Sequence, residues 1–522
     1  MRSREKKQWL AAMDDEMAAL KRKDVWTEIE RADLPSGAKA LPVKWVFNVK
    51  TNSDGKLERF KARNTPKGFK QRAGIDFFET YAHTGSYKAY RLLLSLAARY
   101  DYELVTMDVP EAFLNAELEE NVYVELPQGY GAGGSKVGKL NKALYGIKQG
   151  PRRWDETIHP FITKDCGWRF AISDRSLYYK RSRTGKLMLL FRFVDDFQGA
   201  SHKDDHAEME ETVELLRATF KIKVDYFATQ FLGMRITRDR DAGTIRLDLS
   251  KYITEALGRY GLSECKAADT PEVVNGALTK SGTETDTPCD KQLFMEMTGT
   301  LMYAAYACRA DIAHAAYALA SHMQAPTQEH LVAAKRVLRY LSGTKEIGPV
   351  FGLDARSSSG ASANLVDLCA FADSDWANDK RDRKSISGWA TKLNGDLISW
   401  SSKKQSVVSL STCEAEVYAA GAAVQEVLWL QGMLTELGLH WQPDGAVVYG
   451  DNQSAIAVAK NGIKSSNALK HVALKWSFIT EAIENRDVRP KWIATTDQQA
   501  DIFTKALPPL PFKKLREELL GC

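Results

Sequence analysis

The stretch Lys186-Leu-Met-Leu-Leu-Phe-Arg-Phe-Val-Asp-Asp-Phe-Gln-Gly199 constrains the fold more than any other part of the chain. An apolar run ends in two adjacent carboxylates, Asp195 and Asp196, and apolar sequence then resumes. The pattern predicts a β-hairpin with the acids at its tip. Asp-Asp is not a favoured two-residue hairpin turn, as Asn-Gly or Asp-Gly would be. Like charges side by side repel each other, and a bound cation relieves that repulsion. An isolated Asp-Asp is more often a solvated turn, so the rest of the chain decides its meaning.

A second strand points the same way. Leu104-Val-Thr-Met-Asp-Val109 reads as a buried strand that carries an acid, Asp108, at its end. Three carboxylates on adjacent strand ends can hold two divalent ions roughly 3.5–4 Å apart, one activating an attacking hydroxyl and the other stabilising a leaving oxygen. Charge is distributed unevenly around them. Lys39 to Arg72 holds ten Lys/Arg against Asp54 and Glu58, and Lys136 to Arg153 holds six Lys/Arg and no acid. Basic stretches near paired carboxylates suit a polyanionic substrate that meets its chemistry through metal. Each stretch also has a plainer reading as a solvated face.

At 522 residues the chain exceeds one core, and two to four domains are expected. Its seven cysteines are scattered without a Cys-x-x-Cys, which argues against a zinc ribbon and fits a reducing compartment. The N-terminus leads into an amphipathic helix rather than a signal segment, and no apolar run is long enough to span a bilayer. Helices are predicted over 6–24, 87–100 and 204–220, and a strand pair over 43–49 and 57–63 with a turn at 51–55 between them. Residues 250–345 read as mostly helical. Ala355 to Ala363, small and polar, is the best linker. Beyond it, three strands and an alternation of helices and strands predict a small α/β domain.

At this point the chain resembles a known family. Thr106-Met-Asp-Val-Pro-Glu-Ala-Phe-Leu-Asn-Ala116 and Phe193-Val-Asp-Asp196 resemble the catalytic motifs of copia-type (Pseudoviridae-like) LTR retrotransposon reverse transcriptases, in which Tyr is usual in place of Phe193. The likeness continues through Lys44-Trp-Val-Phe, Lys67-Gly-Phe, Gly74-Ile-Asp, Leu144-Tyr-Gly-Ile-Lys-Gln149, Gly299-Thr-Leu-Met-Tyr303 and Leu338-Arg-Tyr-Leu-Ser-Gly-Thr344. It implies an α+β and α/β multidomain fold: a right-hand polymerase with palm, fingers and thumb, followed by a ribonuclease H-like domain. Fingers and palm are expected over 1–250, thumb and connection over 251–365, and the ribonuclease H-like domain over 366–522.

The resemblance also implies roles. Asp108, Asp195 and Asp196 become the metal-binding acids of an RNA-directed DNA polymerase. Phe113 becomes the aromatic gate against a ribose 2′-hydroxyl, although by itself it reads as core. Lys61, Arg63, Tyr145 and Gln149 are expected at the nucleotide, and Phe231, Gly233 and Lys148 at primer or template. In the last domain Asp373, Glu414, Asp451 and Asp501 are the expected acid quartet, holding two Mg²⁺ (or Mn²⁺) ions, with His471 nearby. Each acid also has a local reading. Ser411-x-x-Glu414 is a capping box, and Asp501 early in a helix suits the macrodipole. Asp375 and Glu416 lie close enough in sequence to be mistaken for their neighbours. Expected partners are an RNA template, a DNA or RNA primer, an RNA–DNA hybrid, deoxynucleoside triphosphates, and the integrase and capsid proteins of the same element, with no membrane. The expected location is the cytoplasm, in a virus-like particle, or the nucleus. With no Asp-Thr/Ser-Gly protease motif and no His/Cys integrase motif, the chain is expected to be a piece of a longer polyprotein. Asn64-Thr-Pro66 and Ala82-His-Thr-Gly85 depart from the family pattern. They keep open the alternative of an inactive copy that retains only nucleic-acid binding.

Overall fold

The computed structural model describes residues 5–51, 57–130, 134–274, 287–353, 365–377, 382–461 and 470–522. The expected linker, 355–363, and most of the turn at 51–55 lie outside them.

A six-stranded sheet forms the palm, in the order Lys223–Asp225, Glu103–Asp108, Asp196–Ser201, Leu187–Phe193, Leu177–Arg181, Arg169–Phe170. Its central strands are buried on both faces, because helices pack on both sides. The helix Tyr87–Arg99 packs on one face. Ser86 caps it by accepting the Ala89 N–H. Every residue of this helix except Lys88 and Arg99 is buried, so it has no solvent face. Such a helix must be enclosed by more than one layer.

The fingers are a hairpin, Val43–Thr51 against Leu57–Pro66, with the helix Lys6–Arg22 laid across it. Trp9 of that helix contacts the rings of Phe47 and Phe60 at 5.0 and 4.6 Å. Pro66, which cannot donate to a ladder, is the last residue of its strand. Asn64 is 1% exposed, and neither end of its side-chain amide has a hydrogen-bond partner. Its main-chain N–H donates to Glu16 Oε1 at 3.1 Å. An orphaned buried amide costs about 1–3 kcal/mol. Asn64→Leu is therefore expected to raise the urea midpoint by about that stability. Replacing Asn64-Thr-Pro66 by Leu-Val-Ala is expected also to lower the KM for nucleotide, because Arg63 sits next in the strand. A lower midpoint in Asn64→Leu would show that the amide has found a partner.

The expected boundary at 250 cuts through one unit. Thr244–Asp248 pairs with Val350–Phe351, joining the strands Gln230–Phe231 and Met234–Asp239 to the helices Ser250–Arg259, Lys291–Ala307, Ala313–Ala320 and Gln328–Ser342. The last unit holds a five-stranded sheet, in the order Asp396–Lys404, Ile386–Leu393, Leu368–Asp375, Ala446–Gly450, Val488–Trp492. The first three strands run antiparallel and the last two parallel to Leu368–Asp375.

This unit docks on the palm through the enclosed helix. The Arg91 guanidinium is buried and donates to the carbonyls of Ile398 at 2.6 Å and Ala307 at 3.0 Å. It lies 4.0 Å over the Trp400 ring. Ser95 donates to Asp396 at 2.6 Å, and Lys88 pairs with Glu426 at 3.0 Å. One apolar core runs without interruption from the palm helix into the last sheet.

Candidate active sites

The hairpin of the palm turns one residue earlier than the acid pair suggests. Phe193 faces Asp196 across the ladder, so Val194 and Asp195 form the turn. Val194 has φ 59°, a conformation that costs a β-branched residue energy. The buried Trp154 holds it there, its indole N–H donating to the Val194 carbonyl at 2.7 Å. Asp196 lies directly opposite Asp108 on the neighbouring strand. The Val109 N–H donates to the Asp195 carbonyl at 2.9 Å. All three acids therefore share one end of the sheet.

Burial, with repulsion from Asp108, holds the Asp195 carboxyl above the usual range, while Arg63 and Tyr145 pull it down. The Arg63 guanidinium lies 4.4 Å from the Tyr145 ring centroid. The Phe113 and Tyr145 rings pack at 4.5 Å, with Phe113 8% exposed. Arg63, Tyr145 and Phe113 thus gather beside the acids. Lys61 faces Asn48 in the fingers hairpin, and its charge acts on Glu16.

Of the four remaining expected contacts, Gln149 and Phe231 are buried, and Gly233 and Lys148 are exposed. Gln149 is fully buried: its amide accepts from Gln71 at 2.9 Å and donates to the Asp76 carbonyl at 3.0 Å. Both ends pin the 71–76 loop, so the buried Gln149 positions backbone inside the protein. Phe231 is core, packed on Tyr90 at 4.9 Å. Gly233, with φ 75°, and Leu232 make the tight turn after it, and the Tyr303 hydroxyl donates to the Leu232 carbonyl at 2.9 Å. The turn, rather than Phe231, is the exposed feature. Lys148 is exposed, its ammonium 4.5 Å over the Phe77 ring.

In the last domain Asp373 lies on the central strand, Asp451 just past the end of the next and Asp501 in the short helix Gln499–Phe503. Their carboxylates offer oxygens all within 4.8 Å of one another. Glu414 does not join them. Its side chain turns back to accept the Leu410 N–H at 2.7 Å, while its own N–H donates to Ser411. The first turn of its own helix consumes it. Glu416, two residues on and so on another face of the helix, lies against Asp373, Asp451 and Ser374. Burial and repulsion from Asp373 and Asp451 push its carboxyl up to about 9. Burial and then Asp373 push Asp501 up to about 7. The quartet is Asp373, Glu416, Asp451 and Asp501.

Two residues at this site escaped the sequence reading. The Thr504 hydroxyl donates to Asp373, and Lys505 pairs with Asp501 at 3.0 Å. Their spacing from Asp501, three and four residues, is a helical same-face signal that would have found them. His471 lies in the helix Lys470–Glu484, but its side chain is outside the described residues. The donor set suits a hard divalent ion, since closely spaced carboxylate oxygens are what Mg²⁺ and Mn²⁺ take.

Residues 23–274 match the family described as reverse transcriptase (RNA-dependent DNA polymerase). The chain is 36% identical to the Retrovirus-related Pol polyprotein from transposon TNT 1-94 of Nicotiana tabacum, over 99% of this chain and 38% of that protein. It is 32% identical to the Retrovirus-related Pol polyprotein from transposon RE1 of Arabidopsis thaliana, over 98% of this chain and 34% of that protein. The chain spans under two-fifths of the length of these relatives. In fold it is similar to a foamy viral protease–reverse transcriptase solved in complex with double-stranded DNA, with TM-score 0.50 and 12% identity, over 95% of this chain and 70% of that one.

Proposed function

Because the chain belongs to the copia-type retrotransposon Pol family, with its reverse transcriptase region at residues 23–274, we propose that it is an RNA-directed DNA polymerase joined to a ribonuclease H. The observation that carries this reading is the pair of separate carboxylate clusters, each at the end of a central strand and each in its own sheet. Asp108, Asp195 and Asp196 would hold divalent ions in the first site, and Asp373, Glu416, Asp451 and Asp501 in the second. When bound, two ions neutralise charge on the reacting phosphate and activate the attacking oxygen.

The chain's own residues set geometry and selectivity. Trp154 fixes the strained turn and with it Asp195. Arg63, stacked on Tyr145, offers a planar cation to a triphosphate. Phe113, braced by Tyr145, closes the space where a ribose 2′-hydroxyl would sit. The basic segments 39–72 and 136–153 supply affinity for template and primer through phosphate contacts. In the second domain the 2′-hydroxyl is what distinguishes the RNA strand of a hybrid.

The test is extension of a DNA primer on an RNA template with deoxynucleotides and Mg²⁺. Phe113→Val sharpens it. Incorporation of ribonucleotides is expected to rise by about tenfold or more relative to deoxynucleotides, measured as a ratio of kcat/KM values. Unchanged sugar discrimination would return Phe113 to the core alone.

A further inference from the structure

Lys505 occupies the place in the second site where a cation is most needed. Its ammonium is 3.0 Å from Asp501 Oδ1, and its charge also acts on Asp373 and Asp451. Among the described residues, no other Lys or Arg stands within ion-pair distance of the four acids. The backbone fixes it there. The Asp501 carbonyl accepts the N–H groups of both Thr504 and Lys505, at 3.1 and 3.2 Å, which closes the turn. Its side chain is 36% exposed, so the ammonium has a path to solvent. Several carboxylates in a half-buried pocket repel one another unless a positive charge stands among them. A compact ammonium on a flexible stem can supply that charge and then leave.

We propose that Lys505 is a built-in counter-cation of the carboxylate cluster, holding the metal-free site together and competing with the divalent ion for Asp501. This rests on reading the cluster as a metal-holding ribonuclease site. Removing the ammonium frees Asp501 for the ion and leaves the empty site with unrelieved repulsion.

The experiment is a Mn²⁺ titration of the 522-residue chain without nucleic acid, followed by the EPR signal of free Mn²⁺. The difference between wild type and Asp451→Asn isolates ions bound at this cluster. Lys505→Met is expected to bind those ions about tenfold more tightly, an effect discounted from bare Coulomb attraction because the ammonium is partly exposed. Its metal-free melting temperature is expected to fall, and the deficit to close at saturating Mn²⁺. Lys505→Arg, which keeps the charge, is expected to bind Mn²⁺ no more tightly than wild type. This keeps the proposal testable if the Met variant does not fold. Unchanged or weaker Mn²⁺ binding in Lys505→Met, or tighter binding in Lys505→Arg, would overturn the proposal. If Asp451→Asn bound as many ions as wild type, the metal-site reading itself would fall, a result distinct from either.

Discussion

Asp195→Asn is expected to lower extension of a DNA primer on RNA by about 10³-fold or more, while the same preparation still degrades the RNA of a hybrid. The substitution keeps size and shape, so the turn held by Trp154 persists. What is lost is a negative charge beside Asp108 and one oxygen donor of the cluster. Template binding is expected to survive, because it comes from the basic segments 39–72 and 136–153. The reciprocal change, Asp451→Asn, is expected to stop release of RNA fragments and leave extension intact, because it touches only the second sheet. Loss of both activities in either variant, with the fold intact, would refute two independent sites.

Arg91→Ala is expected to cost about 3–5 kcal/mol of stability in urea denaturation. The guanidinium is a buried cation whose partners are main-chain carbonyls from two different units, Ile398 of the last sheet and Ala307 of the helix Lys291–Ala307. Deleting it leaves those carbonyls without their donor and opens space beneath the Trp400 ring. The docking of the two units should fail before either unit unfolds. Urea unfolding should therefore separate into two transitions where the wild type shows one. Arg91→Lys is expected to recover only part of the loss, because one ammonium cannot span the fork of carbonyls and stack on the ring. An unchanged midpoint would show that the interface is held without Arg91, by its apolar core and the Ser95–Asp396 and Lys88–Glu426 contacts.

The strand-end acids were legible because an apolar run that stops at a carboxylate is a local pattern. Much of the alternation of strands and helices after residue 365 was legible from hydrophobic periodicity, but the closing helix Pro509–Leu520 was not read. Glu416 was missed because the motif counts residues while the helix assigns faces: Glu414 faces the cap and Glu416 faces the acids. Gln149 and Phe231 were placed at substrate by resemblance, yet burial and partners use both inside the protein. Arg91 could not be read at all, because its partner Ile398 is 307 residues away. The two departures from the family pattern separate in the structure. Asn64 carries an unpartnered amide. Gly85 is fitted: a Cβ there would lie 2.4 Å from the Phe191 ring, so the glycine and that ring match each other. That fit favours an adapted protein over decay at 82–85.

The most direct measurement is template-dependent primer extension on RNA by the wild-type chain, with and without Mg²⁺, alongside Asp195→Asn. The account predicts Mg²⁺-dependent extension that follows the RNA sequence and is absent from the variant. Retained binding of template and primer with no extension by the wild type would contradict it and establish the inactive-copy alternative.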